Sequence, residues 1–556
     1  MPWIEDGRLI LHTALSVTTT IARLAHRYSS VFETLEGQLD TGSGVVNACF
    51  ACSRGWIQFG GTMKIRKRSI LHVPSRIMMP GMTVAALLLA ACGSQATTPV
   101  AVSAPANNPM PSQALAAAFP SSWSMYADNP THNDYFAVTP SAPAGLRAGY
   151  NWRFAEFHAQ PLHQLPPETA VVGQLRASVR LTQTVGNALG VSAVSGVIYA
   201  ESDSGLIYAL NAATGAKLWS NSFLNAAMGN PVVESNRVFV GLGNSNFSFR
   251  ELLNYKAGLP VMRGTGENAV VALNSKTGAM LWSYSTLGED MPTPAYVNGS
   301  VIEANGNGNI FALDSATGSV LWKTHVGGFD SMSSPVAWTD PTTNQSEVVA
   351  SFSDPDQVFA LSTSTGKVLW HQGLAGSFDT GMSDAVSAVD PATNTVIVNG
   401  VVNPQVSGTT TTVNLAMEAL DGTTGAVKWY TELGRGPIPP AFKAGVPMIH
   451  DGTIFMNAPG TDVMHGISEA TGKVLWSYKA GYPGRAAPTF VDNYLMFSDG
   501  PAVFVLDPTT GQLIQKTKLG GLFGIVNPVV VGGTVYVDNS YNWVEAIPLS
   551  TLVPKS

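Results

Sequence analysis

The sequence predicts an all-β protein folded as an eight-bladed β-propeller, and three observations carry that expectation. One segment recurs seven times: ALNAATGAKLWS, ALNSKTGAMLWS, ALDSATGSVLWK, ALSTSTGKVLWH, ALDGTTGAVKWY, GISEATGKVLWS and VLDPTTGQLIQK. The copies follow one another at intervals of roughly 40 to 60 residues, the span of a propeller blade. The chain is also rich in loop formers and poor in charge. It holds 55 glycines and 35 prolines but only 12% charged residues, against roughly 25% in ordinary soluble proteins.

Each copy reads as one turn between two strands. An apolar alternating stretch ends in Ala-Leu-Asp or a variant, and a Thr-Gly turn follows. The turn glycines are Gly215, Gly278, Gly318, Gly366, Gly425, Gly472 and Gly511, and glycine supplies the positive φ a tight turn needs. The next strand carries Trp219, Trp282, Trp322, Trp370, Trp429 or Trp476. A bulky indole repeated beside a tight turn suits packing between neighbouring blades, so these tryptophans are assigned to structure. An eighth unit lies in residues 526–550, but the chain stops before its tryptophan strand. The segment GLRAGYNWRF, residues 145–154, can supply that strand with Trp152 in the docking position. Closing the ring this way removes an exposed sheet edge.

Ahead of the ring lies a processing signal. In MKIRKRSILHVPSRIMMPGMTVAALLLAACGS, residues 63–94, a basic cluster precedes an apolar run from Val84 to Ala91. The run is too short to span a membrane as a stable helix. It ends in Leu89-Ala90-Ala91-Cys92, which resembles a bacterial lipoprotein box, with Cys92 as the lipidated residue. A signal of this kind is terminal, so Met63 is the expected start and residues 1–62 an extension ahead of it. The Cys49–Cys52 pair in that extension is weak evidence for metal or redox chemistry. Residues 93–118, rich in Ala, Pro, Ser, Thr and Asn, read as a flexible tether, and residues 119–556 as the propeller. The expected location is the periplasm or outer membrane, with membrane attachment through the lipid anchor.

The formal net charge of -7 gives no nucleic-acid footprint. Scarce charge suits either a secreted β-protein or one that works in acid, where carboxylates lose their charge while Lys and Arg keep theirs.

The repeat resembles that of quinoprotein-type β-propellers over about residues 120–550. Three families share it: quinone-dependent dehydrogenases, outer-membrane assembly lipoproteins, and the tetrathionate hydrolases of acidophilic sulfur-oxidising bacteria. The first usually carries adjacent cysteines over its cofactor, and the three cysteines here, Cys49, Cys52 and Cys92, offer no such pair. No calcium-binding Glu, Asn and Asp set stands out either, so neither a metal nor a quinone cofactor is expected. A non-enzymatic assembly scaffold and a PQQ-dependent dehydrogenase remain the alternatives. By overall pattern the chain looks most like the tetrathionate hydrolases, and that resemblance implies cleavage of tetrathionate to thiosulfate, sulfate and sulfur at acid pH.

The innermost strand of each blade lines the central channel. Aligning the units puts Val191, Pro231, Pro294, Pro335, Asp384, Pro447, Pro488 and Pro528 at the strand starts, where proline is tolerated because no ladder donor is needed. Asp384 is the acidic exception. Burial near the channel axis would favour its proton-bearing form, a group able to exchange protons in acid, where histidine is permanently charged. Asp384 is therefore the expected acid/base residue, with capping of a turn as the alternative. Arg485 and Arg435 are candidates for holding an anion. Asp379 and Asp330 occur in similar phrases, GSFDTGMSD and GGFDSMSSP, and are candidates for the same pocket. Met332, Met382 and Phe523 would shelter the substrate's central sulfurs. Residues 241–268 exceed what a hairpin needs and read as an inserted loop with a short helix. Its Phe247, Leu252, Leu253 and Tyr255 could pair two copies of the chain.

Overall fold

The computed structural model describes residues 190–553, apart from 355, 378–380, 383, 409, 440–443, 483, 521–522, 524–525 and 540–542. It also describes the N-terminal stretches 50–52, 55–57, 102–104, 110–111, 129–132, 135–136 and 149–155. The signal, Cys92 and Asp379 lie outside the described residues. Residues 1–93 and 94–556 form two units; in the first, Phe50–Cys52 and Gly55–Ile57 pair as an antiparallel hairpin.

The second unit is the propeller. Eight four-stranded antiparallel blades form among the described residues. Their innermost strands are Ser192–Val194, Val232–Glu234, Ala295–Val297, Val336–Thr339, Ala388–Asp390, Met448–His450, Thr489–Val491 and Val529–Val531, here numbered blades 1 to 8. Each runs from what we term the upper face to the lower, and chain order then alternates outward. The outermost strand of blade 8 is Trp152–Ala155, which pairs with Trp543–Pro548. The N-terminal strand thus closes the ring as the repeat pattern required.

Docking of tryptophan holds neighbouring blades together. Trp219 Nε1 donates to the Ser275 carbonyl of the next blade at 2.8 Å, Trp370 to Gly422 at 2.7 Å and Trp476 to Pro508 at 2.7 Å. Trp152 does the same across the closure, donating to Ala212 at 2.9 Å. The turn glycine is needed twice over. Gly278 has φ +70°, and a Cβ there would lie 2.5 Å from the Trp219 ring. Blade 7 lacks the indole. Gln515 takes its register position opposite Val505, and its amide donates to the Thr551 carbonyl at 2.6 Å. The bond survives with a smaller residue.

Two N-terminal pieces extend the ring. Val102–Ala104, in the stretch expected as a tether, adds a fifth strand outside blade 1. Residues 129–132 and 135–136 lie against the innermost strands that line the central channel. Ala337 and Val389, on innermost strands, donate to the carbonyls of Pro130 at 2.7 Å and Thr131 at 3.1 Å. Tyr135–Phe136 then pairs in parallel with the innermost strand of blade 7. The sequence did not announce this plug, because a short extended segment has no periodicity of its own.

The insert in blade 2 contains the expected helix, α1 (Phe249–Lys256), whose N-cap Ser248 accepts from the Glu251 amide. It joins the second and third strands of its blade, which places it on the upper face. Phe247 packs within its own chain, edge-on to Phe329 with ring centroids 5.5 Å apart. Phe249, Leu253, Tyr255 and Leu259 stay exposed.

Candidate functional site

Register corrects the assignment of the strand-start position. The innermost strand of blade 5 begins at Ala388, which pairs with Ile397 as Val232 pairs with Phe239 in blade 2. The residue equivalent to the prolines is therefore Ser387, and Asp384 stands three residues earlier. The loop that carries GMSDAVSAVD, between Gly373 and Ala388, is longer than its counterparts, and the extra residues shift the aspartate away from the proline position.

The corrected register is more informative. Three residues before the proline position, the blades carry Met228, Met291, Met332, Asp384, Ala444 and Arg485, with Ala188 and Ile525 outside the described residues. One acid and one base interrupt an otherwise apolar row, and they meet: Arg485 Nη1 lies 3.7 Å from Asp384 Oδ2. Met291, Met332 and Phe523 share a buried cluster with Val386, Val446 and Ala487, and Met228 packs against it. These residues come from blades spread around the ring, so the cluster lies at its axis. Met382 is equally buried but belongs to the core between blades 4 and 5, with Trp338 and Leu374. Arg435 is on the outermost strand of blade 5, where it donates to the Thr412 carbonyl at 3.1 Å. Neither Met382 nor Arg435 is brought to the axial cluster.

The loop carrying Asp384 is held at successive carbonyls. Ser333 Oγ donates to Ala385 at 2.9 Å, Asn399 Nδ2 to Val386 at 3.0 Å, and His132 Nδ1, from the channel plug, to Ser387 at 3.1 Å. Val401 N donates to Gly381 at 3.2 Å. Gly400 permits that approach, since a Cβ there would meet the Gly381 oxygen at 2.9 Å. Four different contacts fix the backbone around a side chain that is 1% exposed. Such over-determination suits a group whose position matters.

Sequence reasoning missed Arg263. It leaves the insert, and its Nη1 lies 3.9 Å from Asp384 Oδ1, while its Nε lies 3.2 Å from Glu289 Oε1. Its backbone is locked too: Arg263 N donates to Gly306 O at 2.8 Å, and Glu289 N to Arg263 O at 3.0 Å. Its guanidinium lies over the Phe247 ring, 5.8 Å from the centroid. The available signal was an insert of unusual length; its only other arginine is Arg250, in α1.

A set of buried acids adjoins this group. Burial, then the charges of Glu289 and Asp384, hold Asp330 well above the usual carboxylate range, against a hydrogen bond from the Ser333 amide. Burial, with Asp290, Asp330 and Glu201 adding, does the same to Glu303. Glu201 is raised by burial and by Asp538. Each is proton-bearing well above the pH at which an exposed carboxyl ionises. Among the described residues no group of three or more His, Cys, Asp or Glu side chains is arranged to hold a metal ion. A cleft of about 420 Å³ lined by Met110, Val194 and Lys276 lies at the lower hairpins of blades 1 and 2, on the face opposite Asp384. It holds none of this chemistry, and the buried ion cluster is the better candidate site.

The chain is similar to several known proteins. A family model described as outer membrane protein assembly factor BamB matches residues 166–344 and 332–551. The chain is 37% identical over 452 residues to a protein named tetrathionate hydrolase from Acidithiobacillus ferrooxidans, covering 80% of this chain and 89% of that one. It is 32% identical over 465 residues to a protein of the same name from Acidianus ambivalens, covering 78% and 85%. Among solved structures it is similar to BamB from Moraxella catarrhalis, at 17% identity and a TM-score of 0.46, covering 66% of this chain and 98% of that one. With more than a third of its residues shared with the first relative across four fifths of its length, the chain belongs to the tetrathionate hydrolase family.

Proposed function

We propose that this protein hydrolyses tetrathionate in acid, with Asp384 as the acid/base group. The observation that carries this reading is the single acid in the axial row, buried, pinned by its loop and facing Arg485 at 3.7 Å, in a chain whose relatives bear that name. The reaction balances without a redox partner. One tetrathionate and one water give one thiosulfate, one sulfate, one sulfur atom and two protons.

The residues divide the work as follows. Arg485 holds a sulfonate end through its planar fork of donors. Met291, Met332 and Phe523 surround the divalent sulfurs with polarizable and aromatic groups. Water oxygen adds to one central sulfur and loses a proton to the surrounding water. The central sulfur–sulfur bond breaks, and thiosulfate departs with the electron pair and takes a proton from Asp384. The other half, a sulfur bearing a hydroxyl and a sulfonate, contains the atoms of one sulfur and one hydrogen sulfate.

Export on residues 63–92 with anchoring at Cys92 belongs to the same reading, as does pairing of two copies through the exposed Phe249, Leu253 and Tyr255 of the insert. The test is product analysis with the purified protein and no quinone added. Thiosulfate and sulfate released in equal amounts support the reading. Failure of the folded protein to consume tetrathionate overturns it.

A further inference from the structure

We propose that Arg263, delivered by the blade 2 insert, is the second of two anion anchors, and that with Arg485 it selects substrates charged at both ends. This rests on the tetrathionate reading for its substrate but on the ion cluster for its geometry.

Arg485 and Arg263 approach opposite oxygens of one carboxyl, at 3.7 Å from Oδ2 and 3.9 Å from Oδ1. The acid therefore sits between two cations. Tetrathionate has the matching order: a sulfonate, two divalent sulfurs, a sulfonate. A dianion anchored at both ends lays its central bond over the carboxyl between the anchors. The two guanidiniums thereby choose the bond that Asp384 serves.

Arg263 is built for this task. Glu289 holds its Nε, its backbone is tied to Gly306, and the Phe247 ring lies beneath its guanidinium. The Nη end is left directed at Asp384. Side-chain exposures of 9% for Arg263 and 3% for Arg485 put both charges where water screens them little, so attraction for an anion is strong. An arginine fork matches the oxygens of a sulfonate as it matches those of a phosphate.

Binding of unreactive sulfonates to the full-length protein tests the proposal apart from turnover. Calorimetry at about pH 3, where ordinary carboxyls are largely protonated, would compare 1,2-ethanedisulfonate with methanesulfonate. Two anchors should favour the disulfonate by tenfold or more. Arg263→Gln, which leaves Arg485 as the one remaining anchor, should erase most of that preference, so that the two sulfonates bind about equally. Glu289 would be stranded in that variant, so Arg263→Gln with Glu289→Gln, which removes both charges, is measured beside it. Equal affinity for the two sulfonates in the unaltered protein, or a preference that survives in the folded double variant, overturns the proposal. A preserved preference in a protein that does not consume tetrathionate would keep the dianion clamp and discard the hydrolase reading.

Discussion

Asp384 lies buried beside Arg485 at the propeller axis, three residues away from the position that the repeat pattern gave it. The repeat pattern identified an acid where its neighbours have none, but it placed that acid at the strand start, where pairing puts Ser387. Hydrogen-bond register decides such equivalences, and a loop of unequal length hides register from a linear reading. Arg485 was singled out in the sequence only as a cation able to hold an anion, and the apolar row it shares with Asp384 emerged from strand register. Arg263 was not singled out, because insertion loops carry no repeat to break. Asp384→Asn keeps the side chain's size and removes its titrating proton. It should lower tetrathionate turnover by 10² or more, the usual share of a general acid or base, measured in steady state. Met332→Ala, which opens a cavity in the axial cluster, should cost about 2 to 5 kcal/mol of stability in chemical denaturation.

At the scale of elements, the blades are governed by one local device. The Thr-Gly turn presents a backbone carbonyl, and the preceding blade's indole seats against the glycine and donates to it. Pattern reading found the turn glycines and the tryptophans that pack between blades, including Trp152 on the closing strand, because both lie in the repeat; the indole's bond to a backbone carbonyl left no mark in the sequence. Gly278→Ala tests it. The substitution meets a positive φ, worth about 1–2 kcal/mol for a residue with a Cβ, and a collision with Trp219 at 2.5 Å. A loss of more than about 2 kcal/mol in equilibrium unfolding is expected, against only the φ penalty of about 1–2 kcal/mol for Gly258→Ala, where the added atom meets open space. The channel plug is the contrasting element. It is held by carbonyls of Pro130 and Thr131, and backbone bonds leave no mark on side-chain sequence.

For the whole molecule, scarce exposed charge and abundant buried acid point the same way. Burial, with Asp462 adding, pushes Asp499 up to about 8, and Glu201, Asp290, Glu303, Asp330 and Asp538 are also raised by burial. An unfolded chain ionises these groups near the ordinary carboxylate range, so their contribution to stability is whole below about pH 4. It is lost progressively as pH rises toward the folded values. His132 and His465 act in the opposite sense. Burial lowers each to about 4, so stability falls as pH drops from about 6.5 to 4. Six raised acids outweigh two histidines, and the melting temperature should be higher near pH 4 than near pH 8. A melting curve that rises steadily from acid to neutral would contradict this.

The central claim is that a buried carboxyl at the propeller's axis cleaves tetrathionate hydrolytically. The most direct measurement follows tetrathionate loss at about pH 3, an acid condition in which ordinary carboxyls are largely protonated. The unaltered protein and Asp384→Asn would be compared without added quinone, with tryptophan fluorescence confirming that both are folded. The account predicts turnover by the first and loss of nearly all of it in the second. Undiminished turnover by a folded Asp384→Asn would contradict it.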